Sequence, residues 1–510
     1  MVKWRGCLRG IKISHWRKGM QLTDIKKINQ RIYESDTNIS RNSKVIFVAA
    51  IVICLKTNRD FRDSSKLTTL IDFTSSEVKP IDQLIKLAND GIDSIELQHE
   101  TKDAVKNSFK LISGVNTNLD RDKSRFHEFL KGFISNDFAL IGEHDLFFET
   151  LYMEIDKKAD RSDAGIVLTP IFIARLMVDL AEIDYKRDVV ADLCSGTGLF
   201  SLLAYSKMIN DMNADLDANR ITRAEWQSYK DKLFHSIIAN DNEPKMVTLC
   251  LANFLLNDLS SNLIYCKDVL SLRKSDFKIN DDTRLQPTKA ILNPPYEDSY
   301  KPVEIIEQNI NLIKDGTNNN KLVVIVPPQK FGQKKDVFSK ILNLSTLEVV
   351  IKTQDDLFVE SGKAQPASIF VFNASRPHKR NDIIRYYDFT DTGYVYLKDS
   401  GLVDKNKSYE AKKAYLLNKI KSGEIRTNNG AGFVRTWTNF YDVNKEIETD
   451  AKIDPSKIKT NKEEADITLE NITIKKMLQE KQMLIDSVNN NFKDEDGSFE
   501  KYIVNILSED

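Results

Sequence analysis

The order of hydrophobic and polar positions differs between the first and the second part of the chain. From Thr23 to about Lys158, apolar residues recur at spacings of three and four, and stretches rich in Asp, Asn and Ser separate the periodic segments. This pattern predicts an all-helical N-terminal domain over residues 20–158. Its helices are expected over residues 28–35, 43–55, 80–95, 101–114 and 125–135.

From Lys186 onward, short β-branched runs alternate with helical patterns. Such alternation is typical of a mostly parallel β-sheet that is covered by helices on both faces. It predicts an α/β domain over residues 159–389. The runs that predict strands cover residues 189–194, 236–241, 262–268, 289–293, 322–328, 347–352 and 367–372.

The two ends of the chain lack this regularity. Residues 390–510 are predicted to form a partly helical C-terminal extension with a polar linker at 441–466. Residues 1–19 form a basic extension, which is either an arm that contacts phosphates or an addition before a natural start at Met20. A terminal amphipathic helix is indicated by Ile474, Met477, Leu478, Ile485 and Val488.

Composition narrows the class of protein. The 510 residues carry 74 Lys and Arg against 75 Asp and Glu, a balance that excludes coating of nucleic acid through bulk charge. The five cysteines form no CxxC pair, so neither a zinc site nor a disulfide framework is indicated. The longest apolar run, 45–55, is shorter than the roughly 20 residues of a membrane span. We therefore expect a cytoplasmic protein with reduced thiols, no metal and no membrane contact.

Residues 188–200 (DVVADLCSGTGLF) predict a strand, a tight turn and a helix start. Gly196 and Gly198, on either side of Thr197, would let the backbone pass close to a ligand. Asp192, just before the turn, suits a ligand that carries an ammonium group. The pattern lacks the full GxGxxG spacing, which makes a pyrophosphate less favoured. The alternative interpretation is a strand that ends in an ordinary glycine turn.

Two further carboxylates follow the next predicted strands. Asp241 could accept hydrogen bonds from both ribose hydroxyls, and Asp268 could accept one from an adenine amino group, unless it is a solvated acid in a turn. The interval from Gly198 to Asp241 is 43 residues rather than about 20, because a polar helical insertion occupies 209–234. The acids of this insertion imitate a calcium loop, but the glycine and glutamate that such a loop needs are absent.

The most specific motif is Asn293, Pro294, Pro295 and Tyr296, directly after the fourth predicted strand. An exocyclic amine on a base is a poor nucleophile because its lone pair is delocalised into the ring. The Asn293 side-chain oxygen and the Pro294 carbonyl can each accept one N–H and orient the nitrogen for attack. The prolines fix the carbonyl direction, and Tyr296 can stack on the base. The alternative is a Pro-Pro turn that closes a strand.

In this order, residues 192–200, Asp241, Asp268 and 293–296 resemble motifs I to IV of S-adenosylmethionine-dependent amino-methyltransferases that act on adenine N6 in DNA. The resemblance implies a Rossmann-like S-adenosylmethionine-dependent methyltransferase sheet. It also implies a base that is extruded from the duplex before transfer. The residues implied to hold the cofactor in these motifs are Asp192, Gly196, Thr197, Gly198, Asp241 and Asp268.

Two flanking segments extend the resemblance. Upstream, Thr169 and Pro170 resemble the family's motif X, which implies contact with the methionine part of the cofactor. Downstream, residues 355–372 resemble motif VIII, which implies that Phe358 is the second aromatic side chain against the flipped base. Because motif X precedes motif I, with no room for a recognition domain before Asn293, the order is that of the gamma class.

Residues 144–170 also resemble the entry to the catalytic domain in modification subunits of type I restriction systems. This resemblance implies double-stranded DNA as substrate, with a separate specificity subunit and a restriction (nuclease or translocase) subunit as partners. The segment after Phe389 looks too small and too neutral to read base edges by itself.

Other functions remain open at the level of sequence. The first alternatives are a stand-alone adenine methyltransferase, an RNA adenine methyltransferase and a protein glutamine amide methyltransferase, whose family also uses an NPPY turn. E-x-K triplets at 77–79 and 100–102 have the form of nuclease motifs, although neither follows an evident strand. A catalytically silent DNA-binding subunit is the last alternative, and the intact tetrapeptide disfavours it.

Overall fold

The fold is known from a computed structural model, which describes most of the chain between residues 26 and 437. Its unit 1 lies within residues 1–95, 106–159 and 252–258, and unit 2 lies within 96–105, 160–251 and 259–510. The described residues are 26–30, 41–57, 66–74, 77–113, 120–137, 147–156, 168–280, 282–315, 319–359, 366–379, 382, 384–397, 401–422 and 434–437.

Helices supply all the secondary structure that is described up to residue 156. Residues 26–30 are helical, and a π-helical turn, Phe133–Asp137, directly follows the helix Asp120–Gly132. The predicted helices at 43–55, 80–95 and 125–135 are confirmed, whereas the one at 101–114 is interrupted at Phe109. The helices are α1 (Arg41–Thr57), α2 (Lys66–Leu70), α3 (Pro80–Ser94), α4 (His99–Ser108), α5 (Lys110–Ser113), α6 (Asp120–Gly132) and α7 (Phe147–Asp156).

The core of unit 1 forms around α1, whose residues 45–54 are buried on every face. An apolar run without polar alternation predicts burial of this kind. Within it, the Phe47 ring lies 5.3 Å from Phe126 and 5.5 Å from Phe129, so α6 packs against α1 through aromatic side chains. Among the described residues, no helix is long and apolar enough to cross a membrane.

Unit 2 is built on a nine-stranded sheet in the order β11-β8-β6-β7-β5-β4-β1-β2-β3. Strands β1 to β6 and β8 run parallel, whereas β7 is antiparallel to β5 and β6, and β11 is antiparallel to β8. The strands are β1 (Val190–Asp192), β2 (Ile237–Asp241), β3 (Ile264–Cys266), β4 (Lys289–Leu292), β5 (Lys321–Val326), β6 (Thr346–Thr353), β7 (Ser368–Asn373), β8 (Ile384–Phe389), β9 (Tyr394–Leu397), β10 (Gly401–Asp404) and β11 (Val434–Trp437).

All seven predicted strands are confirmed as β1 to β7. Every residue of β1, β4 and β5 is buried, as continuous apolar runs at the centre of a covered sheet require. The structure adds β8, the β9–β10 hairpin and β11, which the sequence pattern did not reveal. The helices here are α8 (Ile171–Leu180), α9 (Leu199–Asp217), α10 (Arg223–Leu233), α11 (Pro244–Leu256), α12 (Pro302–Ile313), α13 (Gln329–Gln333), α14 (Lys335–Leu344) and α15 (Tyr409–Ser422).

The predicted insertion at 209–234 is helical, since it comprises the end of α9 and the whole of α10. Thr222 and Glu225 form a capping box that starts α10. Asp215 accepts a hydrogen bond from the Tyr185 hydroxyl (2.6 Å) and pairs with Arg220 (2.7 Å). The acid that imitated a calcium ligand therefore links the end of α9 to the loop before β1 and to the turn before α10. The basic extension at 1–19, the linker at 441–466 and the terminal helix around 474–488 lie outside the described residues.

Candidate active site

Five parallel strands, β1 to β5, point their carboxyl ends at one edge of the sheet, and the predicted site residues lie along this edge. At β1 the chain turns through Gly196 and Gly198, whose φ angles of +52° and +90° are in the left-handed region that favours glycine. A Cβ atom at Gly196 would meet no atom within 4 Å. The turn is therefore open on the side where a ligand would approach, and Thr197 between the glycines is buried.

Asp192 ends β1 and is completely buried. Its Oδ2 atom accepts hydrogen bonds from the Ser201 backbone N–H (3.2 Å) and hydroxyl (3.0 Å), whereas its Oδ1 atom has no partner among the described residues. Burial, together with a smaller effect of the nearby Asp241 carboxylate, raises the pKa of this carboxyl to about 7 against the opposing hydrogen bonds from Ser201. A buried carboxylate oxygen without a partner fits a cationic ligand group, such as an ammonium.

Asp241 ends β2, and its carboxylate connects the glycine turn after β1 to the loop after β2. Its Oδ2 atom accepts the Gly196 N–H (2.9 Å), and its Oδ1 atom accepts the Glu243 N–H (3.0 Å). Burial raises the pKa of Asp241, although these backbone bonds oppose the shift. Each oxygen keeps a second lone pair, so a ribose diol can still be accepted.

Asn240, beside it, links neighbouring strand ends through its side chain. Its side-chain amide donates to the Leu193 carbonyl (3.2 Å) and the Lys267 carbonyl (3.1 Å), and it accepts the Lys267 N–H (3.2 Å). This buried amide joins the ends of β1, β2 and β3. An asparagine before an aspartate at a strand end was the only signal in the sequence, and it did not indicate this role.

Asp268 follows β3 and is exposed at the same edge. Its Oδ1 atom accepts the Leu270 N–H (3.0 Å) and so caps a short 3-10 turn, Val269–Ser271. The carboxylate thus acts as a turn cap in this structure, and a contact with adenine stays a prediction.

The tetrapeptide begins at the residue after β4, as predicted. Asn293 is partly exposed and Pro294 is buried, so the rigid Pro-Pro segment is anchored at this edge of the sheet. The Asn293 Nδ2 atom donates a hydrogen bond to the Thr169 hydroxyl at 3.0 Å. Thr169 and Pro170 immediately precede α8, so the structure brings the predicted motif X to the tetrapeptide itself.

Tyr296 and Phe358 are brought together, as the resemblance implied, but as an edge-to-face pair. Their ring centroids are 5.8 Å apart with an interplanar angle of 80°, and both rings are buried. A base held between two parallel rings needs about 7 Å, which is twice a stacking distance of about 3.5 Å. The rings must therefore separate before a base can lie between them. The Tyr296 hydroxyl is buried without a partner among the described residues, and burial raises the pKa of this phenol well above its usual value.

One further contact, which the sequence did not reveal, supports the loop after the tetrapeptide. Lys330 on α13 is largely buried, and its ammonium group pairs with Asp298 at 2.8 Å. This ion pair lowers the pKa of Asp298. Because Asp298 lies two residues after Tyr296, the contact ties the loop after β4 to the helix after β5.

Together these groups form two adjoining parts of one edge. The part at β1 to β3 offers an open glycine turn, the buried carboxylate of Asp192 and the partly exposed carboxylate of Asp241, which fits a nucleoside with an ammonium group. The part at β4 and Phe358 offers an amide, a rigid carbonyl and two aromatic rings, which fits a planar base with an exocyclic amine. Among the described residues, no group of three or more His, Cys, Asp or Glu side chains could hold a metal ion.

The strand order 3-2-1-4-5-7-6 within the larger sheet, with an antiparallel β7, defines a Rossmann-like methyltransferase fold of class I. Residues 147–330 match the family model described as N-6 DNA Methylase. The matched segment contains the glycine turn, the Asp192 and Asp241 carboxylates and the tetrapeptide.

Individual proteins and solved structures also resemble this chain. A type II restriction enzyme and methyltransferase, RM.BcgI of Heyndrickxia coagulans, is 30% identical over 263 residues, covering 48% of this chain but only 37% of that protein. Among solved structures, a modification subunit assigned to a type I restriction enzyme of Vibrio vulnificus has a TM-score of 0.54 at 15% identity, covering 82% of this chain and 92% of its own. A structure from a study of type I restriction-modification complex assembly has a TM-score of 0.56 at 15% identity, covering 92% and 96%. At such identities these structures show the fold alone.

Proposed function

We propose that this protein transfers a methyl group from S-adenosylmethionine to the N6 atom of an adenine that is extruded from double-stranded DNA. The observation that carries the proposal is the position of Asn293–Tyr296 after β4, beside the Asp192 and Gly196 turn, inside a segment that matches the N-6 DNA methylases. The open space at Gly196 and the Oδ1 atom of Asp192, which has no partner among the described residues, support the assignment of a cofactor site at this turn.

In this proposal, the cofactor supplies a methyl group activated by its sulfonium centre. Asp192 faces the ammonium group of its methionine part, Asp241 accepts from its ribose, and Thr169, Pro170, Thr197, Gly198 and Asp268 complete its surroundings. The carboxylates act mainly by binding and orientation, since the methyl group needs no further activation.

On the substrate side, the Asn293 Oδ1 atom and the Pro294 carbonyl each accept one N–H of the adenine amine. The nitrogen lone pair is then directed towards the cofactor site, where the bound cofactor would supply the methyl group and keep the electron pair of the bond that it gives up. N6 exchanges one proton, which is released to solvent, for the methyl group. Pro295 keeps the backbone rigid, while Tyr296 and Phe358 part to hold the base by stacking.

Labelled S-adenosylmethionine with separate duplex DNA, RNA and glutamine-containing protein substrates tests this function. We expect label on adenine N6 of duplex DNA, and labelling that is slower by about 10³-fold or more after Asn293→Ala. Transfer to RNA adenine or to a glutamine amide, with DNA unlabelled, would assign the same site to one of the alternative substrates. DNA cleavage without methyl transfer would contradict the proposal altogether.

We further propose that base-specific reading comes from a separate specificity subunit, and that a restriction subunit joins the complex. Support comes from the structural neighbours, which are named as parts of type I restriction systems. The purified chain should then bind duplex DNA without sequence preference. Site-specific methylation by the single polypeptide would contradict this part of the proposal and leave the chemistry unaffected.

A further inference from the structure

The hydrogen bond between Asn293 and Thr169 joins two parts of the chain that are 124 residues apart in sequence. The Asn293 Nδ2 atom donates to the Thr169 hydroxyl oxygen at 3.0 Å, a normal length for this kind of bond. Thr169 is only 5% exposed, so water cannot readily replace its hydroxyl as the partner of the amide.

Thr169 is itself held in place by its neighbours. It precedes Pro170, and a residue before proline is restricted to extended backbone conformations. The Pro170 carbonyl accepts the N–H groups of Ile173 and Ala174 and so begins α8. The apolar face of α8 is buried, and the helix packs against α9 and β5. The hydroxyl is therefore presented by a rigid element of the domain rather than by a loose loop.

The two ends of an asparagine amide are chemically opposite, since Nδ2 only donates and Oδ1 only accepts. The proposed reaction needs the accepting end to face the adenine amine. When Nδ2 is bound at Thr169, the planar amide turns Oδ1 to the other side of Cγ, away from α8. An amide oxygen has two lone pairs, so it can accept from the substrate in addition to any bond it makes within the protein.

We propose that Thr169 is a positioning residue for Asn293, and that it orients the amide whose oxygen accepts the adenine N–H. This inference rests on the proposed function and gives Thr169 a role beyond the cofactor contact that its motif implied. Its loss acts on the rate of transfer, because a misplaced acceptor no longer aligns the amine, while the cofactor pocket at β1 to β3 keeps its own contacts.

The test compares Thr169→Val, which keeps the shape but removes the acceptor, with Thr169→Ser, which keeps the hydroxyl. At saturating cofactor, we expect Thr169→Val to lower the single-turnover transfer rate by about 10- to 100-fold, a larger loss than any weakening of the cofactor Kd. Thr169→Ser should restore most of the rate. Thr346→Val is the matched control, because Thr346 is likewise a buried threonine, and its hydroxyl donates to the Arg376 carbonyl at the opposite edge of the sheet.

A double variant separates positioning from general damage to the fold. In an Asn293→Ala background, Thr169→Val should cause little further loss, because the amide that it positions is already gone. Equal losses in both backgrounds, or a weaker cofactor Kd with an unchanged rate, would overturn the proposal and leave Thr169 as a structural or cofactor residue.

One readout does not depend on methyl transfer at all. In protein labelled with 15N-asparagine, the Asn293 side-chain NH₂ signals, identified by their loss in Asn293→Ala, should exchange slowly with water in the wild type and in Thr169→Ser. They should exchange faster in Thr169→Val. If the wild type fails to methylate DNA but these signals behave as described, the proposed function is wrong and the hydrogen bond stands. If the signals are unchanged in Thr169→Val, the positioning role is wrong.

Discussion

Strands β1 and β4 carry buried polar groups at both of their ends, and the two ends differ in how these groups are paired. At the amino ends, the Nζ atom of Lys289 lies 3.8 Å from the Oδ2 atom of Asp188. Asp188 also accepts from the Thr288 hydroxyl and the Asp184 N–H, each at 2.8 Å, and Lys289 donates to the Asn319 carbonyl at 2.7 Å. Both charges are therefore paired and hydrogen-bonded.

At the carboxyl ends of the same strands, polar groups are buried without such compensation. The Oδ1 atom of Asp192 and the hydroxyl of Tyr296 have no partner among the described residues. Burying a polar group without a hydrogen bond costs about 1–3 kcal/mol, so this edge opposes folding unless a ligand completes it. The comparison teaches that paired groups at one edge stabilise the sheet, whereas incompletely paired groups at the other edge mark the site.

The largest expected effect separates chemistry from stability. Asn293→Ala should lower kcat by about 10³-fold or more, because the amine loses both an acceptor and its alignment. The free energy of unfolding should stay within about 0.5 kcal/mol of the wild type. Rapid-quench methylation and urea unfolding on the same preparation measure both quantities. A comparable rate in the variant would mean that the tetrapeptide is not the catalytic motif.

Much of this edge was predictable, because strand ends and glycine turns leave local signals. The run at 189–194 contains Asp192 and leads into the glycine turn, and the run at 289–293 ends at Asn293, which the two prolines follow. Parallel strands end at a common edge, so the proximity of these motifs follows from their order along the chain.

The rest depends on tertiary contacts that leave no local pattern. The bonds from Asn293 to Thr169, and from Lys330 to Asp298, join separate segments of the chain, and no periodicity reports them. The hairpin of β9 and β10 was missed for a related reason. Three of the four residues of β9 are exposed, so the apolar alternation of a half-buried strand is absent.

The second prediction concerns the paired end of the strands. Lys289→Met should lower the free energy of unfolding by about 3 kcal/mol, since it leaves the Asp188 carboxylate buried without its cation. The double variant Asp188→Asn, Lys289→Met should recover most of this loss. Urea unfolding of the wild type, the single variant and the double variant measures these differences in the free energy of unfolding. The transfer rate of the folded fraction should remain near normal. Equal destabilisation in the single and double variants would show that packing, rather than charge pairing, dominates at this edge.

A third and smaller effect concerns cofactor affinity. Asp241→Ala should weaken S-adenosylmethionine binding by about 1.5–3 kcal/mol, because it removes the ribose acceptor and also releases the Gly196 N–H that shapes the turn. Asp241→Asn, which keeps one acceptor oxygen, should lose less. Calorimetry at constant pH measures both values. Unchanged affinity in Asp241→Ala would move the ribose contact to another group, with the exposed Glu243 as the nearest candidate.

The smallest expected effect is a pH dependence that arises from Asp192. Its pKa of about 7 in the folded protein lies above the value of about 3.9 for an unfolded aspartate, so the folded state holds the proton more tightly. The stabilisation from this group is therefore complete below about pH 4 and is lost as the pH rises through 7. A cofactor ammonium group pairs with the ionised carboxylate, so it should offset that loss. The rise in Tm on adding S-adenosylmethionine should then be larger at pH 8 than at pH 6, and Asp192→Asn should remove most of this difference. A rise that is equal at both pH values in the wild type would show that the buried carboxylate does not face the ammonium group.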